Sequence, residues 1–446
     1  MRQVIGQLRW TSPVRTAAST AREPWVIIMA GALLVGTAAR AWMVATQAPV
    51  FYAVDVLFDT LGWNLATGKG FTLDGATPSA HVGPTYPALL GLFYAIVGHR
   101  PEWTPVLHAV LDVATTVFVF YAARLVFGPA PAVLAAGFVY LYPAYWTYDL
   151  RLRSETALTC LVTAWLWASV RGRLTGRVEH AALCGMLGGL AILCKPTTIP
   201  IAVLLGAVML LEARHDPLAW RRVAVYAVCV LVLVTPWTVR NLRAFGTLVP
   251  VSSGAGVGLW MGSDAESGGS WPMSPELEAR IWGTAGIAPL AYPHVMYEVA
   301  VDRELGRKGW TRITADPGQY VRLTLARVVH FWVGNRLYLF NSDRGPADGL
   351  NRDAAERGWP VALYSLAKRL LLVPLLLLLG CVGAWRLRAR WRELMPFYVF
   401  PLGLMLGYVP FSVEAGRYVL PVLPCVVVLA TVVLVHVGPH LRQGKA

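Results

Sequence analysis

The chain has 446 residues, of which 56% are hydrophobic and 14% charged, and its formal net charge is +14. Soluble domains carry about 25% charged residues, so this composition marks an integral membrane protein. The Lys and Arg residues fall in short segments between apolar runs and form no stripe interleaved with aromatics, which argues against a nucleic-acid surface.

Arg2, Arg9, Arg15 and Arg22 precede the first apolar run at Val26, and no small-residue cleavage site follows a short apolar core. That run is expected to be an uncleaved span. In chain order, spans of about 17 to 25 residues are predicted near 26–46, 103–125, 130–147, 155–170, 180–194, 197–212, 222–239, 366–385, 394–411 and 418–437. The stretch "YPALLGLFYAIVG" at 86–98 is also apolar but has only 13 residues. At about 1.5 Å per residue it reaches about 20 Å, short of a hydrocarbon core of about 30 Å. If it does not cross, the loops "VRGRLTG", "EARHDPLAWRR" and "WRLRARWRE" share one side with the basic N-terminus. If it crosses, all three move outward against the positive-inside rule. It therefore reads as an interfacial or re-entrant helix in a protein with both ends cytoplasmic.

The fold class expected is an all-α polytopic bundle of about ten spans with outer interfacial helices. An N-terminal transmembrane module, 1–240, contains a first outer loop at 47–102; an outer loop region covers 241–365, and C-terminal transmembrane helices cover 366–446. Within the outer region, "PGQYVRLTLARVVHFWVG" is amphipathic and suits a lid on the membrane surface. Cys160, Cys184, Cys194, Cys229, Cys381 and Cys425 all lie in apolar runs, as small core residues do, and imply no disulfide framework.

Asp55 and Asp59 stand four residues apart just after the first span. Like charges at that spacing share a helix face and destabilise it unless something uses them; an interfacial helix showing polar residues to water is the plainer explanation. His108 and Asp112 repeat the spacing inside the second span, as a functional pair or as a brace for the bundle. Asp55, Asp59 and Glu155 could together hold Mg²⁺ or Mn²⁺, which favour hard oxygen ligands, although the sequence requires no cofactor.

"D-x-x-F-D-x-x-G-x-N-L-A-x-G-K-G-F" from Asp55, with "P-T-Y-P" from Pro84, resembles the first outer loop of the GT-C superfamily of lipid-carrier-dependent glycosyltransferases, in the branch of aminoarabinose lipid A transferases and protein O-mannosyltransferases. "LYPAYWTYDLRLRSET" at 141–156, "CKPT" at 194, "TPWTVRNLRAFGTLVPVSSGAGVGLWMG" at 235–262 and "EAGRYVLPVLP" at 414–424 are similar to later family segments, in the same order. The resemblance implies transfer of a hexosyl or pentosyl group from a polyprenyl-phosphate sugar to a lipid, glycan or protein acceptor. The reaction would take place at the non-cytoplasmic face of a bacterial plasma membrane.

Asp55 matches the family's catalytic base and Glu155 the acid of the second outer loop. A base is needed to take the acceptor's proton. The leaving group is already a phosphate, so cations rather than a strong acid are needed beside it. Lys195, Arg240, Arg417 and His81 are the candidate phosphate ligands, with Arg40, Lys368 and Arg369 as weaker ones; each cation could equally be an interfacial anchor. Asp59, Tyr86, Asn241 and Tyr418 are expected to support the site. The resemblance breaks at "SAHVGPTYP", which lacks the basic residue that relatives place before Pro-x-Tyr-Pro, leaving that role to Lys195 or His81. A lipid-linked glycan polymerase or ligase would rely on arginines of a large outer loop, and a polyprenyl-lipid transporter on paired halves and mid-membrane charges.

Overall fold

The computed structural model describes residues 23–46, 53–214, 217–269, 298–333, 359–412 and 417–442, together with isolated positions between 270 and 297. Glu414 and much of the outer region, 270–297 and 334–358, therefore lie outside the described residues, as does the side chain of Arg369.

The described chain is helical. α1 (Glu23–Thr46) is followed by a short pair, α2 (Ala53–Ala66) and α3 (Thr85–Val97), then α4 (Thr104–Phe127), α5 (Pro129–Leu141) and α6 (Pro143–Asp149). Four long helices run back and forth next: α7 (Glu155–Thr175), α8 (Val178–Cys194), α9 (Ile199–Ala213) and α10 (Pro217–Phe245). α11 (Ala255–Gly262), α12 (Val299–Ala315) and α13 (Pro317–Val333) lead to the closing group: α14 (Trp359–Ala367), α15 (Val373–Arg386), α16 (Met395–Tyr408) and α17 (Leu423–Arg442). Among the described residues, four helical stretches are long and apolar enough to cross a membrane: Trp25–Thr46, Pro101–Phe127, Pro196–Ala213 and Ala219–Phe245. Five shorter apolar helices join them, and the protein is a multi-pass membrane protein.

The expected spans all meet helices, with one difference. The run at 130–147 is two helices, because Tyr142 precedes Pro143 and is extended at φ −73°, ψ 112°; a proline ring disfavours helical backbone at the residue before it. Ahead of Pro374, α14 passes through a π turn at Lys368–Leu372 into α15, so the eighth span is one continuous helix with a bulge.

α8 packs between α7 and α10, α4 against α5 and α7, α9 against α16, and α15 against α17, while α2 and α3 form a hairpin. Val228, Leu231 and Val232 on α10 face outward, as lipid-facing residues do. At the inner contacts small residues let backbones approach: a Cβ at Gly185 would meet the Tyr226 carbonyl on α10, and one at Gly407 the Thr197 carbonyl.

Direction sorts the charges by end. α7 carries Glu155 in its first turn and Arg173 in its last, so its 21 residues separate them by about 30 Å. At the Arg173 end, Arg173 clamps Glu212 at 2.7 and 2.9 Å and donates to the Arg392 carbonyl. The three basic loops thus meet at the end away from Glu155.

Candidate active site

Lys195 is placed by its neighbour. Pro196 forces it into extended backbone (φ −154°, ψ 116°), which ends α8 and turns the chain through a 3₁₀ turn into α9. Its ammonium lies 3.1 Å from Glu155 Oε1 and sits over the rings of Tyr418 (5.1 Å) and Tyr408 (5.7 Å), which stack at 4.1 Å. Burial alone would discharge this lysine; the Glu155 carboxylate more than offsets it and raises the ammonium above the usual lysine range. Arg417 adds a second cation, with Nε 3.6 Å from the same Glu155 oxygen and Nη2 donating to the Tyr418 hydroxyl at 3.2 Å.

Asp55, in the first turn of α2, accepts from Arg153 Nε at 3.0 Å and is 0% exposed. Arg153 comes from the turn between α6 and α7 and also acts electrostatically on Glu155. Among the described residues, one cluster therefore holds Asp55, Glu155, Arg153, Lys195 and Arg417: two carboxylates and three cations. Tyr86 lies beside it, within electrostatic reach of both carboxylates, and its hydroxyl bonds His108 Nε2 at 2.8 Å. His108 Nδ1 faces the Asp149 carbonyl at 2.9 Å and must donate to it, so Nε2 accepts from Tyr86.

Several expected residues serve elsewhere. Asp59 accepts from Tyr94 at 2.7 Å and faces His99 at 3.1 Å, away from the other acids. Among the described residues no three His, Cys, Asp or Glu side chains converge as a metal site, so the set Asp55, Asp59 and Glu155 is not assembled. Arg240 donates to the carbonyls of Ser79 (2.6 Å) and Phe71 (3.2 Å), and Asn241 to those of Val249 and Val251. Both tie loops to the end of α10. His81 Nδ1 bonds the Ser79 hydroxyl, in a loop whose Gly83 presses on the last carbonyls of α8. Arg40 is held by Asp112 (2.7 Å) and Asp149 (3.2 Å), apart from Glu155 and Lys195. His108 and Asp112 do not act as a pair: one meets Tyr86, the other Arg40.

Residues 81–239 match the Dolichyl-phosphate-mannose-protein mannosyltransferase family, a segment containing Glu155 and Lys195 but neither Asp55 nor Arg417. No curated protein matches the sequence. Among solved structures, oligosaccharyltransferase AglB from Archaeoglobus fulgidus, in complex with an inhibitory peptide and a dolichol-phosphate, superposes with a TM-score of 0.54 at 13% identity, over 95% of this chain and 51% of that one. Its apo form gives 0.51 at 13% identity, over 95% and 52%. The chain shares the membrane-helix fold of these archaeal structures. ArnT from Cupriavidus metallidurans bound to undecaprenyl phosphate is similar over 90% of this chain and 78% of that one, at 17% identity and a TM-score of 0.41. The chain spans about half the length of the archaeal chains it matches.

Proposed function

We propose that this GT-C protein is a glycosyltransferase that moves a hexosyl or pentosyl group from a polyprenyl phosphate to an acceptor hydroxyl at the non-cytoplasmic face of a bacterial plasma membrane. One observation carries the reading: Arg153, Lys195 and Arg417 gather around Asp55 and Glu155, at the bundle end opposite the basic loops. The positive-inside rule puts those loops in the cytoplasm and the cluster outside. The lipid phosphate named with the archaeal relative has the charge that such cations bind.

In this reading the acceptor hydroxyl gives its proton to the Asp55 carboxylate as its oxygen bonds the anomeric carbon. The bond from that carbon to the phosphate oxygen breaks, and its electron pair leaves with the polyprenyl phosphate. Attack from the face opposite the phosphate inverts the anomeric centre. Lys195 and Arg417 take up the charge on the departing phosphate, held by Glu155 until then. Asp55 is covered by Arg153, so the turn at 150–154 must withdraw as the acceptor enters; hydrogen bonds of this kind commonly form only in the reacting complex.

The test is transfer of radiolabelled sugar from polyprenyl phosphate in proteoliposomes. Positioned bases contribute about 10²- to 10⁴-fold, so Asp55→Asn is expected to slow transfer by that factor. A folded Asp55→Asn protein with the wild-type rate overturns the assignment.

A further inference from the structure

His108 lies fully buried inside α4 and takes no part in the transfer step itself. Its two ring nitrogens reach different elements. Nδ1 donates to the Asp149 carbonyl at 2.9 Å, and Nε2 accepts from the Tyr86 hydroxyl at 2.8 Å. The Tyr86 and His108 rings also stack, with centroids 5.9 Å apart. The imidazole thus joins α3 to the turn that follows α6.

Each arm leads to one member of the Asp55–Arg153 pair. On the first, Tyr86 is fully buried and meets Phe58 edge to face at 5.1 Å; Phe58 stands one turn after Asp55 on the same face of α2. α2 and α3 approach closely, since a Cβ at Gly62 would come within 2.8 Å of Leu90 Cβ, and helices packed this tightly shift together. On the second, Asp149 opens a turn closed by its own backbone: Arg151 N–H donates to the Tyr148 carbonyl at 3.1 Å and Arg153 N–H to the Arg151 carbonyl at 2.9 Å. Arg153 at the end of that turn reaches Asp55 at 3.0 Å.

We propose that His108 is a positioning residue: by holding Tyr86 with one nitrogen and the Asp149 carbonyl with the other, it sets the separation between Asp55 and the Arg153 that covers it. The kinetic consequence rests on the reading of Asp55 as the base; the structural link does not. An imidazole with both nitrogens engaged has its ring and its tautomer fixed. A displacement of about 1 Å at a reacting group costs about a hundred-fold in rate.

Amide side chains separate the two arms. His108→Asn places a donor near the former Nδ1 and keeps the Asp149 contact without the Tyr86 one; His108→Gln places an acceptor near the former Nε2 and does the reverse. The full chain is assayed for transfer in proteoliposomes and for thermal unfolding in detergent. His108→Asn and Tyr86→Phe are each expected to lower kcat by about 10- to 100-fold with KM for the lipid donor unchanged, and together no further than either alone, because they cut one connection. Tyr86→Phe removes a single oxygen and carries this test if His108→Asn does not fold. In the His108→Gln or Tyr86→Phe background, the fall in Tm caused by Arg153→Gln is expected to be about half that in the wild type or less, since the pair is already loosened. A folded His108→Asn or Tyr86→Phe protein with the wild-type kcat, effects that multiply in the double variant, or an equal Tm loss in all backgrounds overturns the proposal. A wild type that transfers no sugar sinks the base assignment instead, and the Tm comparison alone then decides the link.

Discussion

Glu155→Gln isolates the electrostatics of the candidate site, since it keeps shape and removes one charge. Lys195 at 3.1 Å and Arg417 at 3.6 Å then lose their shared counter-ion. At an effective dielectric constant of about 20, each attraction is about 5 kcal/mol before desolvation. Removing one partner of a buried pair costs about 3–5 kcal/mol in practice, because the other charge stays behind uncompensated. For 446 residues, an unfolding entropy of about 2.1 cal/mol/K per residue makes that a fall in Tm of about 3–5 °C. The same cations, freed from Glu155, bind a phosphate more tightly, so adding polyprenyl phosphate is expected to stabilise the variant more than the wild type. Saturation at a hundred times Kd adds about 2.7 kcal/mol, about 3 °C on the same scale. The assay is thermal unfolding in detergent with and without the lipid. A Tm within a degree of wild type, or a smaller lipid response than wild type, refutes the reasoning.

Arg40→Gln leaves Asp112 and Asp149 buried without their guanidinium and is expected to cost about 3–5 kcal/mol, with Asp112→Asn on top recovering part of it, read as Tm in detergent. Gly407→Ala drives a methyl group into the Thr197 carbonyl, next to the break that positions Lys195, and is expected to cost about 1–3 kcal/mol of stability, read as a lower Tm, with transfer falling alongside. His330, on the amphipathic α13, is lowered to about 4 by burial and then by the Arg327 charge. Its neutral form belongs to the folded state, so stability is full above about pH 6.5 and declines as pH falls toward about 4, by up to about 3 kcal/mol. His330→Gln flattens that slope in pH-dependent unfolding.

The helices and the break at Lys195 were legible because apolar run length and proline act locally: each residue pair carries its own constraint. The break at Tyr142–Pro143 is just as local, yet an apolar run that continues on both sides conceals it. The cluster was legible in Asp55, Glu155, Lys195 and Arg417, which stand beside recognisable segments. Arg153 was not separable from Arg151, since two arginines two residues apart in an irregular turn follow no periodicity. Tyr408 and the fully buried Arg327 carried no signal, because their partners lie across the bundle: Arg327 donates to the Val409 carbonyl at 2.7 Å and the Gly269 carbonyl at 3.2 Å. Arg240 looked like a phosphate ligand for the same reason; only the folded chain brings Ser79 and Phe71 to it.

What separates a structural cation from a working one here is the sign of its local surplus. Arg327 and Arg240 spend their donors on carbonyls, which hold loops in place. Arg40 faces two carboxylates, so that cluster has one negative charge too many. Burial, then the neighbouring Asp112, raises Asp149 well above the usual carboxylate range, and a proton on Asp149 restores neutrality. Six residues further on, the cations described around Glu155 outnumber its carboxylates, and a lysine or arginine cannot shed its charge so readily beside a carboxylate. The first cluster is closed by a proton; the second is the one the proposed reaction uses to receive a phosphate. Both are joined by the turn at 149–155, which also carries Arg153, the residue that covers Asp55. In the proposed reaction a phosphate arriving at Lys195 and Arg417 competes with Glu155 at the base of that turn, which is the most direct physical route by which donor binding would uncover Asp55.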